Sequence, residues 1–182
     1  MAGLIGAIWG FIGVVGLIGY SALRLSHLAM DAFAHTLLWH HWLALVGMVV
    51  FMAYSEGYKG FQLAFSPRTV ARIVYLYHHP TALRVLLAPL FCMGYFHIIK
   101  RRQIVIIGLT VFIIVLIILV RLLSQPWRGI VDAGVVVGLT WGLVSLLLFA
   151  GKALMSSDAF PYSPDVPEEV SSSSASSSNP IS

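Results

Sequence analysis

Two apolar runs held apart by three adjacent cations constrain this chain more than any other stretch. Residues 81–99 and 103–123 are each long enough to cross a bilayer as a helix, which takes about 20 mostly apolar residues. Lys100, Arg101 and Arg102 lie between them and leave almost no room for a loop, so the two runs are predicted to be antiparallel neighbours. Residues 111–120 are apolar without a break, which excludes the alternating pattern of a membrane β-barrel. The whole chain is 59% hydrophobic and only 10% charged. Soluble domains sit near about 45–50% and about 25%, so the excess belongs in spans. The expected fold class is all-α: a polytopic membrane helical bundle with about five transmembrane helices and one amphipathic interfacial helix.

The other elements are placed around that hairpin. Residues 4–23 form a first span with glycines at Gly3, Gly6, Gly10, Gly13, Gly16 and Gly19, mostly on one side of a helix. Residues 36–54 form a second, entered through Trp39, His40, His41 and Trp42, residues suited to the headgroup level. Ser66 and Pro67 then signal a helix start. Arg68, Arg72, Tyr75 and His79 recur at helical spacing after them, which predicts a surface-lying amphipathic helix over 67–79. Within 81–99, Pro89 predicts a kink. Residues 127–154 form the last span, with a second small-residue face at Gly134, Gly138 and Gly142 that could meet the first. Residues 1–156 are thus one transmembrane domain. Residues 157–182 hold four prolines, four acids and a serine run, a composition predicted to be disordered.

Charge adds a topology. Residues 1–156 carry all 11 Lys and Arg and three acids, Asp31, Glu56 and Asp132. Weighting the tight Lys100–Arg102 group predicts the N-terminus outside and the C-terminal tail inside. Basic residues beside apolar spans suit anionic lipid, and no soluble basic face exists for nucleic acid. The single cysteine, Cys92, precludes a disulfide within one chain.

Two constellations can carry chemistry. With alternating connectors, His40 or His41 and His97 fall at equal depth on neighbouring spans, where a pair of imidazoles could ligate haem b. The competing reading is interfacial anchoring beside the tryptophans, and no cofactor is assigned. On the other side, Glu56, Arg84, Arg121, Arg128 and Asp132 are ionisable groups in or near apolar runs. Such groups pair, snorkel, or line an ion or anionic-substrate cavity. Arg121 is the expected partner of Asp132 across a short turn, Arg128 lies one helical turn before it, and Glu56 could meet Arg84. No catalytic triad, paired carboxylates, phosphate loop or metal motif is recognisable. The expected function is therefore a non-enzymatic accessory or structural membrane subunit. It would pack against partner membrane proteins, or against itself, through its glycine faces. A small transporter or lipid-interacting protein using the Arg/Asp cluster is the alternative, followed by a haem- or quinone-linked redox anchor.

Overall fold

The computed structural model describes residues 1–34, 36–155 and 161–166, and their ordered elements are helical. Helix α1 spans Ala2–Met30 and is followed by a 3-10 turn at Asp31–Ala34. Helix α2 (Trp39–Met52) passes without a break into a π-helical segment, Ala53–Phe65, and then into α3, Ser66–His78. Two short helices follow, α4 (Ala82–Leu86) and α5 (Ala88–Met93). Two long ones complete the chain, α6 (Lys100–Arg121) and α7 (Trp127–Met155). Helices α1, α6 and α7 are long and apolar enough to cross a membrane. The molecule is a helical membrane bundle.

Contacts fix the directions of the rods. Trp127 at the start of α7 stacks against His40 and His41 at the start of α2. Further along, a Cβ at Gly134 would stand 2.9 Å from Met48, and one at Gly138 would stand 3.3 Å from Glu56. Gly142 faces the Phe61 ring. Helix α7 therefore runs parallel to the 39–65 rod. Helix α1 runs against both, because Gly3 lies on the Tyr77 carbonyl while its other end leads into α2. The bundle thus has a tryptophan end, with Trp39, Trp42 and Trp127, and an arginine end, with Arg68, Arg72 and Arg102. The glycine face of α1 is used inside the chain, against Val85 at Gly6, Cys92 at Gly10 and Pro89 at Gly13. The glycine face of α7 meets the 39–65 rod and not α1, which corrects the pairing expected from the sequence.

Three further expectations change. The 81–99 run is not one kinked helix. Pro89 lies in the first turn of α5, and Leu87 separates α4 from α5. Helix α5 then ends in a Schellman turn at Gly94, with the Tyr95 N–H bonded to the Leu90 carbonyl at 3.0 Å. Gly94 has φ of 90°, and a Cβ there would meet Arg72 and Ile106, so both backbone and space require glycine. The chain dips beside the first half of α1 and turns back to begin α6. Helix α3 is not a surface helix either: eight of its 13 residues are buried, Arg72 and Tyr75 of the polar stripe among them. Arg68 and Arg72 find partners within the chain, as shown below, while Ser66 Oγ and Thr69 Oγ1 are buried with no hydrogen-bond partner among the described residues. The third change concerns the acidic tail. Residues 161–166 lie against the bundle, with Pro164 and Val166 buried, while the rest of the tail lies outside the described residues.

That contact places residues 161–166 on α3, the helix whose far end touches Gly3. The start of the chain and this segment are at the same end of the bundle.

Helix α6 stands apart from the rest. None of its 22 residues is buried. It is tied to the bundle near its start, through Tyr95 Oη and Thr110 Oγ1 at 2.9 Å and Gln103 Nε2 donating to the Tyr95 carbonyl at 2.8 Å.

Candidate functional site

The arginine end holds the densest polar construction among the described residues. Arg72, 3% exposed, donates from Nε to the Pro164 carbonyl at 3.1 Å and from a terminal nitrogen to the Cys92 carbonyl at 3.3 Å. Both acceptors exist because of local backbone choices. Cys92 lies in the last turn of α5, where helix carbonyls lose their intrahelical partners. Pro164 lies in an extended stretch whose carbonyls have no ladder to join. Residues 161–166 thus form a strap across the bundle, fixed again where the Ile99 N–H donates to the Asp165 carbonyl at 3.2 Å. The Asp165 N–H bonds Ser163 Oγ at 3.1 Å, and the Tyr162 ring packs edge-on to Phe149 at 5.7 Å. Asp165 Oδ2 lies 3.7 Å from Arg68 Nε and 3.6 Å from Arg102 Nε. The strap therefore joins α3, α5, α6 and α7. Sequence reasoning took Arg68 and Arg72 for a water-facing stripe and missed this site. The available signal was the pairing of a cation-rich helix with a Pro- and acid-bearing segment elsewhere in the chain.

The histidines proposed for haem are held apart. His41 is buried at the tryptophan end, where its Nδ1 accepts the Leu38 N–H at 3.1 Å and its ring meets Trp127 edge-on at 5.1 Å. The His40 ring is tilted against His41, 4.1 Å between ring centres, and stacks on Trp127 at 6.3 Å. His97 is exposed at the arginine end, beside the Ile98–Ile99 segment that begins α6. The 22 residues of α6 separate the two ends by about 33 Å at 1.5 Å per residue, so no single haem spans them. The equal depth expected from the sequence fails because 81–99 dips and returns. Among the described residues, no three His, Cys, Asp or Glu side chains gather closely enough to hold a metal ion.

The Arg/Asp group is likewise distributed. Arg84, 5% exposed, lies over the Tyr75 and Phe91 rings, 5.4 and 5.7 Å from their centres. Glu56 is in the π-helical segment against Gly138, and does not meet Arg84. Arg121 is exposed at the far end of α6 and is not the partner of Asp132. That partner is Arg128, one turn earlier on the same helix, at 3.7 Å. The sequence placed them at helical spacing, but the turn after α6 turns Arg121 outward. Asp132 is 7% exposed and its Oδ2 has no hydrogen-bond partner among the described residues. Asp132→Asn is expected to lower stability by roughly 1–3 kcal/mol, because Arg128 then lacks its counter-charge, and Asp132→Asn with Arg128→Gln by less. Thermal melts of the two variants in detergent measure the difference. A double variant as unstable as the sum of the singles would show that the two residues act independently.

An open apolar groove of about 500 Å³ runs along α7. Val137, Trp141, Val144 and Leu148 line it, and the Trp141 Nε1–H donates to Gln62 at 2.9 Å. It contains none of the ionisable residues above.

The fold and these sites define a helical membrane protein with a strapped arginine cluster at one end and an aromatic–histidine cluster at the other. No family model matches the chain, and neither a curated protein nor a solved structure matches it significantly.

Proposed function

We propose that the chain is a non-catalytic accessory or structural subunit of a membrane assembly, which presents α6 to a partner. In this reading α1, the 39–65 rod, α6 and α7 cross the bilayer, and 82–99 is re-entrant. One observation carries the proposal: α6 buries none of its 22 residues, whereas α1 and α7 each bury a face. Helices in lipid associate through close packing at small residues. Helix α6 has one glycine, Gly108, and no described residue of this chain lies within 4 Å of where its Cβ would stand. Its packing surface is therefore free for an apolar helix of another polypeptide or of a second copy.

A photoreactive residue introduced at Ile114, which is 52% exposed, tests this in native membranes. The expected product is a discrete adduct with another polypeptide, lost when Gly108 is replaced by Phe. The same probe at Val14, which is 0% exposed, should give none. Adducts with lipid alone at Ile114 would mean that α6 meets only the bilayer.

A further inference from the structure

Among the described residues, the arginine end gathers more cations than carboxylates. Arg68 and Arg102 both direct Nε at one oxygen, Asp165 Oδ2, yet stop at 3.7 and 3.6 Å. A charge-assisted N–H···O bond normally closes to about 2.7–2.9 Å. Oδ2 is buried and has no hydrogen-bond partner among the described residues. Arg72 stands behind them, and among the described residues its hydrogen bonds go to neutral carbonyls. Three guanidinium groups, from α3 and the first turn of α6, thus gather around one monovalent carboxylate. Asp165 also sits in left-handed backbone, with φ of 57°, which an L-residue adopts at a cost of about 1–2 kcal/mol.

A carboxylate is a poor match for this cradle. It offers two oxygens in one plane and a single charge, while a phosphate offers oxygens in several directions and as much or more charge. Arginine forks recognise phosphate with paired bonds. The location matters as well. Arg102 is in the first turn of α6, after which the helix is apolar as far as Arg121. A helix of that length places its ends at the headgroup level of a bilayer about 30 Å thick. Arg102 is 44% exposed and Arg68 34% exposed at their side chains, so the cluster is open from one side.

We propose that Arg68, Arg72 and Arg102 form a binding site for a phosphate-bearing anion, which Asp165 fills as an internal stand-in. The strap is then a competitor: ligand phosphate takes the place of the Asp165 carboxylate between Arg68 and Arg102. Arg72 keeps its bond to the Cys92 carbonyl and turns its remaining donors to the ligand. The phosphate can belong to a lipid headgroup or be free in solution, and the chemistry of recognition is shared.

The test uses the full chain in mixed detergent micelles, with bound lipid counted by native mass spectrometry. One arm titrates dioleoyl phosphatidic acid against dioleoyl phosphatidylcholine; the other adds inorganic phosphate to the phosphatidic acid complex. The proposal expects preferential retention of phosphatidic acid. Asp165→Asn, which removes the competitor, should tighten it about fivefold, and Arg102→Gln should weaken it about fivefold. Arg121→Gln makes the same charge change at the other end of α6 and should leave binding unaltered. Displacement by inorganic phosphate would support the site with the free anion as ligand, and retention against it would support the site with the lipid headgroup. Arg102→Gln carries the test if Asp165→Asn loses folded protein. Equal weakening by Arg102→Gln and Arg121→Gln, or no selective binding in either arm, overturns the proposal.

Discussion

Removing residues 161–182 should destabilise the protein by about 3–5 kcal/mol, the usual cost of stranding a buried cation. The loss follows from Arg72. Its Nε donates to the Pro164 carbonyl and the side chain is 3% exposed, so truncation strips a buried cation of one acceptor and of the segment packed over it. Val166, 0% exposed, and Pro164 leave a vacancy beside the same side chain. The comparison that isolates the cause is truncation in an Arg72→Met background. With the cation already gone, the strap loses its main anchor and its removal should cost markedly less. The check is melting temperature and folded yield in detergent for the four combinations. Truncation that costs nothing, or costs the same in both backgrounds, would show that Arg72 does not hold the strap.

The second large effect is expected at the glycines, and it should be selective. Gly142→Leu drives a side chain into the Phe61 ring, and Gly10→Leu drives one at Cys92 and Ala88. Overpacking of this kind costs typically about 1–3 kcal/mol, and more where backbone separation is forced. Gly16 shares the α1 glycine run but has nothing within 4 Å of its would-be Cβ, so Gly16→Leu should be tolerated. Thermal melts of the three variants in one detergent decide the matter. A Gly16→Leu loss as large as that of Gly10→Leu would mean that the whole glycine run, and not its first half, is an interface.

The helical membrane class was legible because hydropathy over α1, α6 and α7 is a local property that no tertiary arrangement alters. Gly10 and Gly138 were legible as close-packing sites for the same reason: the absence of a side chain is visible wherever the partner lies. Partners were not legible. The α7 glycines face Met48, Glu56 and Phe61 instead of α1, and spacing within one helix cannot choose between two neighbours. The dip at 82–99 was hidden because Leu87 and Gly94 break an apolar run without changing its hydropathy. That one break misplaced His97 by the length of α6 and removed the apparent haem pair. The arginine site was hidden for another reason. Arg72 looks solvent-facing until Pro164, far away in sequence, supplies the carbonyl that allows it to be buried.

The lengths of the long helices disagree with one another. At 1.5 Å per residue, α1 and α7 measure about 43 Å each and α6 about 33 Å, against a hydrocarbon thickness of about 30 Å. Helices α1 and α7 must lean strongly or project beyond the acyl chains, and because they pack together they must do so as one body. Helix α6 is held to that body through Gln103 and Thr110 in its first half but buries none of its residues, and it can stand closer to the membrane normal. A thicker bilayer would bring α1 and α7 upright while stretching past the apolar part of α6, and a thinner one would do the reverse. Hydrophobic mismatch costs fractions of a kcal/mol per ångström, enough to sort proteins between membranes. With all three helices across the bilayer, as proposed above, the angle between α6 and the rest of the protein would register bilayer thickness.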